Sequence, residues 1–259
     1  MKLPYNSSFV IATASGKGGV GKSVTTVNCA NVLHKAGYKT AIIDADLGLS
    51  NCATLLNEQV SATALDVLNE KVYLEDVIQT TEQGITLVTG ADELDAHINK
   101  YSVLYPVIDE ALRTLSRTHD FILIDTPAGA SELSLWALDR SDLCLLILVD
   151  EPTVISDVYR YCKFILDIDP SYPFGAIVNF GKDDKNSRDT LHRFNKILSH
   201  FKNRNIPYFG YIPAHNSVKD AVRNQRPISD NSEAEVFREI QYIAQMIVGY
   251  ANKKSTVIP

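Results

Sequence analysis

Eight residues near the start of the chain, Gly16-Lys17-Gly18-Gly19-Val20-Gly21-Lys22-Ser23, restrict its fold more than any other stretch. They match the phosphate-binding loop pattern of Gly, four residues, Gly, Lys and Ser or Thr, and they add a second lysine directly after the first glycine. The flanks suit such a loop: Ser8 to Ala14 reads as a buried strand and Val24 to Ala36 as a helix that opens where the loop ends. A strand, a glycine turn and a helix N-terminus make an anion cradle. Successive backbone N–H groups point at phosphate oxygens, the helix dipole adds positive potential, Lys22 supplies charge and the Ser23 hydroxyl can ligate magnesium.

Further along, apolar runs of strand length alternate with helical periodicity. Strands are predicted at Thr40 to Asp44, Gly84 to Gly90, Phe121 to Asp125, Leu143 to Val149, Phe174 to Phe180 and Tyr208 to Pro213. Helices are predicted at Tyr101 to Arg117, Ser131 to Leu138, Val154 to Ile168, Val218 to Arg223 and Glu233 to Tyr250, with short pieces at Ala64 to Leu68 and Leu74 to Ile78. This alternation predicts an α/β fold in which one doubly wound, mostly parallel sheet is flanked by helices. No repeat, low-complexity run or linker divides the chain, so residues 1–259 are expected to form one domain.

Three carboxylates fall where such a sheet binds ligands, at the carboxyl ends of strands. Asp44 and Asp46 close the second strand, within reach of phosphates held by the loop, although aspartate also caps helices that follow strands. Asp125 ends a later apolar run, the position from which an acid holds magnesium through water opposite the loop's Ser or Thr. Asn179 ends another strand; its amide can donate to and accept from a purine edge, or it is a turn residue.

The 259 residues carry a formal net charge of -6, which argues against a dominant electrostatic partnership with nucleic acid or anionic membrane. Cys29, Cys52, Cys144 and Cys162 contain no Cys-x-x-Cys pair, so reduced thiols in the cytoplasm are expected, and Cys144 belongs to a core strand. Met1 to Asn6 lacks the apolar core of a signal peptide, and no run is long enough to span a bilayer. The densest basic segment, from Lys182 to Arg204, is diluted by Asp183, Asp184 and Asp189 and reads as a solvated helix face. In the last helix Val236, Phe237, Ile240, Ile243, Ala244 and Ile247 form an apolar stripe, but the opposite face has one basic residue, Arg238. A membrane-surface helix carries more, so a core helix is the expectation.

The loop, the segment Asp44-Ala45-Asp46-Leu47-Gly48-Leu49-Ser50-Asn51 and the segment Asp125-Thr126-Pro127-Ala128-Gly129 together resemble the three signatures of the MinD/ParA family of deviant Walker A ATPases. Asp150-Glu151-Pro152-Thr153, Val178-Asn179 and Gly210-Tyr211-Ile212-Pro213 extend the resemblance over nearly the whole chain. Glu151-Pro152-Thr153 and the helix after it are similar to the flagellar FlhG (YlxH, FleN) branch, with Asp150 where that branch has proline; MinD is the next branch.

The resemblance implies ATP and magnesium as ligands and slow ATP hydrolysis coupled to homodimerisation. Gly16, Lys17, Gly18, Gly19, Val20, Gly21, Lys22, Ser23 and Val24 would cradle the nucleotide, with Asn179 and the backbone near Pro213 reading adenine. Lys17 would cross to the nucleotide of a second subunit, Asp46 would position the attacking water, and Ser23, Asp44 and Asp125 would hold the metal and its waters. Implied partners are a second copy of the chain and an activator or cargo from the flagellar or division machinery, in the cytoplasm or at the inner face of the membrane. DNA partitioning is disfavoured by the acidic balance, and an iron–sulfur carrier by the missing Cys-x-x-Cys.

Overall fold

The computed structural model describes residues 8–46, 51–91, 101–230 and 235–255. In chain order the elements are β1 (Phe9–Ala14), α1 (Lys22–Lys35), β2 (Thr40–Asp44), α2 (Asn51–Leu56), α3 (Ala64–Leu68), α4 (Leu74–Val77), β3 (Gln79–Thr80) and β4 (Thr86–Thr89). A 3-10 turn at Tyr101–Leu104 leads into α5 (Tyr105–Ser116), followed by β5 (Phe121–Asp125), α6 (Glu132–Arg140), β6 (Leu143–Leu148), α7 (Pro152–Ile168), β7 (Phe174–Gly181) and α8 (Asp184–Lys202). The rest comprises β8 (Tyr208–Pro213), α9 (Asn216–Arg223), a 3-10 turn at Ile228–Asp230 and α10 (Glu235–Ser255).

The strands form one eight-stranded sheet in the order β3-β4-β2-β5-β1-β6-β7-β8, parallel throughout except for β3 against β4. Residues of β2, β5 and β6 are buried along their whole length, because helices cover both faces; that is why these strands read as unbroken apolar runs. The chain leaves β1 toward β2 on one side, fills the gap with β5, then crosses β1 to β6 on the other. This reversal gathers the carboxyl ends of β1, β2 and β5 at one edge, the place where doubly wound sheets hold ligands. The register aligns Asp44 with Asp125 across β2 and β5, and Thr13 with Asp125 across β1 and β5.

The observed sheet is the one the sequence predicts, with local differences. Helix α1 starts at Lys22, two residues earlier than periodicity suggests, because the last loop residues already form its first turn. It is buried nearly all round: Thr25, Thr26, Asn28 and Asn31 are as inaccessible as Val27 and Leu33. Two of the polar ones are tied to the turn before α10: Asn31 Nδ2 donates to Ser229 Oγ and Asp230 Oδ1, and Ser229 N donates to Asn28 Oδ1, while Asn31 Oδ1 has no hydrogen-bond partner among the described residues. These bonds pin the turn before α10 to α1.

Helix α10 packs on β8 and α1 through Val236, Ile240, Ile243, Ala244 and Ile247, all buried, so its apolar stripe belongs to the core. Ile243→Ala is expected to cost about 2–5 kcal/mol, as truncation of a fully buried aliphatic side chain does, read as a lower urea midpoint. Unchanged stability would mean that the stripe is dispensable to the fold. Most of the basic segment is helix α8, where three of the cations have carboxylate partners: Arg188 with Asp184, Arg193 with Asp150 and Lys202 with Asp167. All four cysteines are free thiols and buried. No helix among the described residues is long and apolar enough to cross a membrane.

Candidate functional site

The loop between β1 and α1 is fixed from three sides. At its start a Cβ on Gly16 would lie 2.3 Å from the Asp157 carbonyl carbon, so the backbone of α7 rests directly on this glycine. At its middle Ser15 Oγ donates to Lys17 O at 2.7 Å, and Gly129 N donates to Ser15 O at 2.9 Å, which ties the segment after β5 to the loop. At its end Asn179 Nδ2 donates to Val20 O at 2.7 Å. Gly18 and Gly19 have open space where a side chain would stand. Backbone N–H groups beside that space are the cradle an anion needs.

The two lysines differ. Lys22 is buried in the first turn of α1, whereas Lys17 is exposed with Glu151 Oε2 4.0 Å from its Nζ; the side chains are 49% and 58% exposed. An ion pair so solvated contributes little, so Lys17 is held only weakly to its own subunit.

Ser23 Oγ donates to Asp125 Oδ2 at 2.5 Å and Thr26 Oγ1 donates to Asp125 Oδ1 at 3.2 Å. The two oxygens of Asp44 accept from Cys52 N at 2.9 Å and Asp46 N at 3.1 Å. Both carboxylates are buried, and both are pushed up: Asp44 to about 7 by burial and then by the charge of Asp125, and Asp125 to about 6 by burial, against the opposing pull of the Ser23 hydrogen bond and Lys22. Half-buried Asp46 is also raised by burial, while Lys22 pulls it down. Two buried carboxylates whose ligand atoms lie within 4.8 Å of each other, with the Ser23 hydroxyl on Asp125, form a hard-oxygen donor set that a divalent cation would neutralise, so Ser23, Asp44 and Asp125 fit magnesium.

Two neighbours escaped sequence reasoning. Thr26 stands one helical turn after Ser23 and reaches the same carboxylate; its spacing was the available signal. Cys52 donates its Sγ hydrogen toward Asp125 Oδ2 at 3.7 Å, and its ligand atom lies within 4.8 Å of those of Asp44 and Asp125. Burial and the two nearby aspartates push this thiol well up, which keeps it neutral. Nothing in the sequence marks it, since the contact depends on the fold of the segment after Asp46, of which residues 47–50 lie outside the described residues.

Asn179 is placed differently from a free purine reader. Its Nδ2 is on the loop and its Oδ1 accepts from Phe180 N at 2.9 Å, leaving one N–H and one lone pair for a base. Pro213, level with Gly181 across β7 and β8, ends the neighbouring strand. Val24 lies half-buried in the first turn of α1.

The ParA family profile, described as a NUBPL iron-transfer P-loop NTPase, matches residues 6–248. The chain belongs to the ParA/MinD family of P-loop ATPases. The relatives of this family member include the antiactivator FleN of Pseudomonas aeruginosa, 30% identical over 219 residues that span 85% of this chain and 78% of FleN. The flagellum site-determining protein YlxH of Helicobacter pylori is 28% identical over 258 residues, covering 98% of this chain and 86% of YlxH. Among solved structures, the MinC:MinD cell division complex of Aquifex aeolicus superposes with a TM-score of 0.74 at 26% identity, covering 93% of this chain and 96% of that one. As a ParA/MinD-type P-loop ATPase the chain is a nucleotide-binding protein.

Proposed function

We propose that the chain, acting as one domain over residues 1–259, is an ATP-dependent dimerising switch of the FleN and YlxH kind that sets the position or number of flagella. The observation that carries the switch is the contrast between the two lysines: Lys22 is buried beside the phosphate site, and Lys17 is exposed and weakly held. In this reading Lys17 reaches the nucleotide of a second copy and neutralises charge that develops as the terminal phosphate leaves.

Gly16 to Val24 wrap the phosphates, and Lys22 contacts the outer ones. Ser23, released from Asp125, holds magnesium together with Asp44 and Asp125, and Asp46 orients the attacking water. Asn179 and the backbone at Pro213 read adenine. Magnesium held by Ser23, Asp44 and Asp125 would supply charge that neutralises the phosphates. The flagellar assignment is supported by the two named relatives and by Glu151-Pro152-Thr153 at the start of α7. A MinD-like role in division-site placement is the second reading, supported by the Aquifex likeness. Placement in the cytoplasm, with a protein activator or cargo, follows from either. Iron transfer finds no support in four free thiols that are all buried.

Light scattering with and without magnesium and ATP tests the switch. The parent is expected to double in mass with ATP and Lys17→Ala to remain monomeric, with binding of ATP retained. If Lys17→Ala dimerised as the parent does, the crossing lysine would be wrong. Counting flagella by electron microscopy after deletion of the gene tests the assignment, and an unchanged number and placement would move it to the division reading.

A further inference from the structure

The last turn of β7 carries a feature that the fold does not need. Phe180 has a φ of 57°, in the left-handed region that bulky L-residues avoid. The ladder to β8 slips there: Asn179 is level with Ile212 and Gly181 with Pro213, so Phe180 is the extra residue of a bulge. Every other residue of β7 is buried, while Phe180 is 50% exposed.

The conformation is held from the following residue. A Cβ on Gly181 would lie 2.3 Å from Ser187 Oγ and 2.8 Å from the Tyr211 ring, and Gly181 O accepts from Ala214 N at 3.1 Å. Backbone strain and an apolar ring in water are two costs, and a glycine or asparagine at this position would avoid both. Bulges beside binding sites re-aim a side chain. This one adjoins Asn179, whose amide touches the phosphate loop at Val20.

We infer that Phe180 is the stacking platform for the purine base of the nucleotide, with Asn179 at the base edge and Pro213 on the adjoining strand. The inference rests on the nucleotide reading of the site and adds the residue that supplies base affinity. An aromatic face binds a purine in a sequence-tolerant way, so Phe180 contributes affinity for the base and Asn179 contributes discrimination.

The test compares binding of ATP and of inorganic tripolyphosphate, each with magnesium, by calorimetry on the full chain. Phe180→Ala is expected to weaken ATP about tenfold, the scale of one base–aromatic stack, and to leave tripolyphosphate unchanged. Phe180→Tyr, which keeps the ring, is expected to bind ATP as the parent does. Phe180→Gly is expected to lose ATP affinity like the alanine variant while melting at or above the parent temperature, which separates stacking from damage to the fold. Unchanged ATP affinity in Phe180→Ala, or equal weakening of both ligands, would overturn the stacking role and leave the phosphate site intact. A parent that binds neither ligand would overturn the nucleotide reading itself, and the inference with it.

Discussion

Asp125→Asn is expected to stabilise the nucleotide-free protein by roughly 1–3 kcal/mol while lowering ATP turnover about a hundredfold or more. The stabilisation follows from the crowding of two buried acids at the ends of β2 and β5. Burial lifts Asp125 to about 6, against about 3.9 in an unfolded chain. Between about pH 4 and pH 6 the native state therefore holds a proton that the unfolded state has released, and parental stability falls as pH rises through that window. The variant has no charge to desolvate at this position, and it also removes the second-largest cause of the rise at Asp44.

The gap between variant and parent should be absent below about pH 4, grow through the window and be complete above it. For a chain of this size it corresponds to roughly 2–8 °C in melting temperature. Asparagine suits position 125 because its partners are the hydroxyls of Ser23 and Thr26 and the thiol of Cys52, rotatable groups that can turn from donor to acceptor. At Asp44 the partners are backbone N–H groups of Asp46 and Cys52, which cannot. Calorimetry from pH 4 to pH 8 together with phosphate release reads both effects. A variant less stable than the parent at neutral pH would show that the carboxylate is stabilised by its hydrogen bonds more than it is penalised by burial.

Such a site was partly legible before any coordinates. Thr40–Asp44, Phe121–Asp125 and Tyr208–Pro213 are observed with the boundaries expected from sequence; for the first two the reason is that a strand covered on both faces is an apolar run whose end is marked by the first polar residue. Strand β3 was not legible: two residues cannot display alternation, and its identity comes from pairing with β4. Helix α2 was missed because six residues rich in small and polar side chains carry no period of their own. At Tyr101 the expected helix opens as a 3-10 turn, with Pro106 near the start of α5.

The same division holds among the functional groups. Gly16 to Ser23, Asp44, Asp46 and Asp125 announce themselves through motif spacing, but the contact of Cys52 with Asp125 arises only when the residues after β2 return over the end of β5. Asn179 shows both sides of this. Its place at a strand end was readable, while the occupation of its amide by Val20 O required the approach of β7 to the loop.

That approach sets the second large effect. Gly21→Ala is expected to cost about 2–5 kcal/mol and to reduce ATP turnover about a hundredfold. Gly21 has a φ of +92°, and a Cβ there would lie 2.2 Å from Asn179 Nδ2. The left-handed backbone alone costs an L-residue about 1–2 kcal/mol. Expelling the amide then leaves Val20 O without its buried donor, worth about 1–3 kcal/mol more. The N–H groups of Lys22 and Ser23 open α1 immediately after Gly21, so a displacement of about 1 Å misaims the cradle, enough for a hundredfold loss. Asn179→Ala removes the same clamp from the other side, and the two substitutions are therefore not independent. In Gly21→Ala/Asn179→Ala the collision is gone and the clamp is lost once instead of twice. The double variant should be more stable than the sum of the single ones by about 1–3 kcal/mol, with turnover still low. Urea denaturation of the four proteins in the cycle measures this coupling. Additive costs would mean that the amide and the glycine act separately, and that the end of the loop is held by the packing of α1 instead of by the strand that carries Asn179.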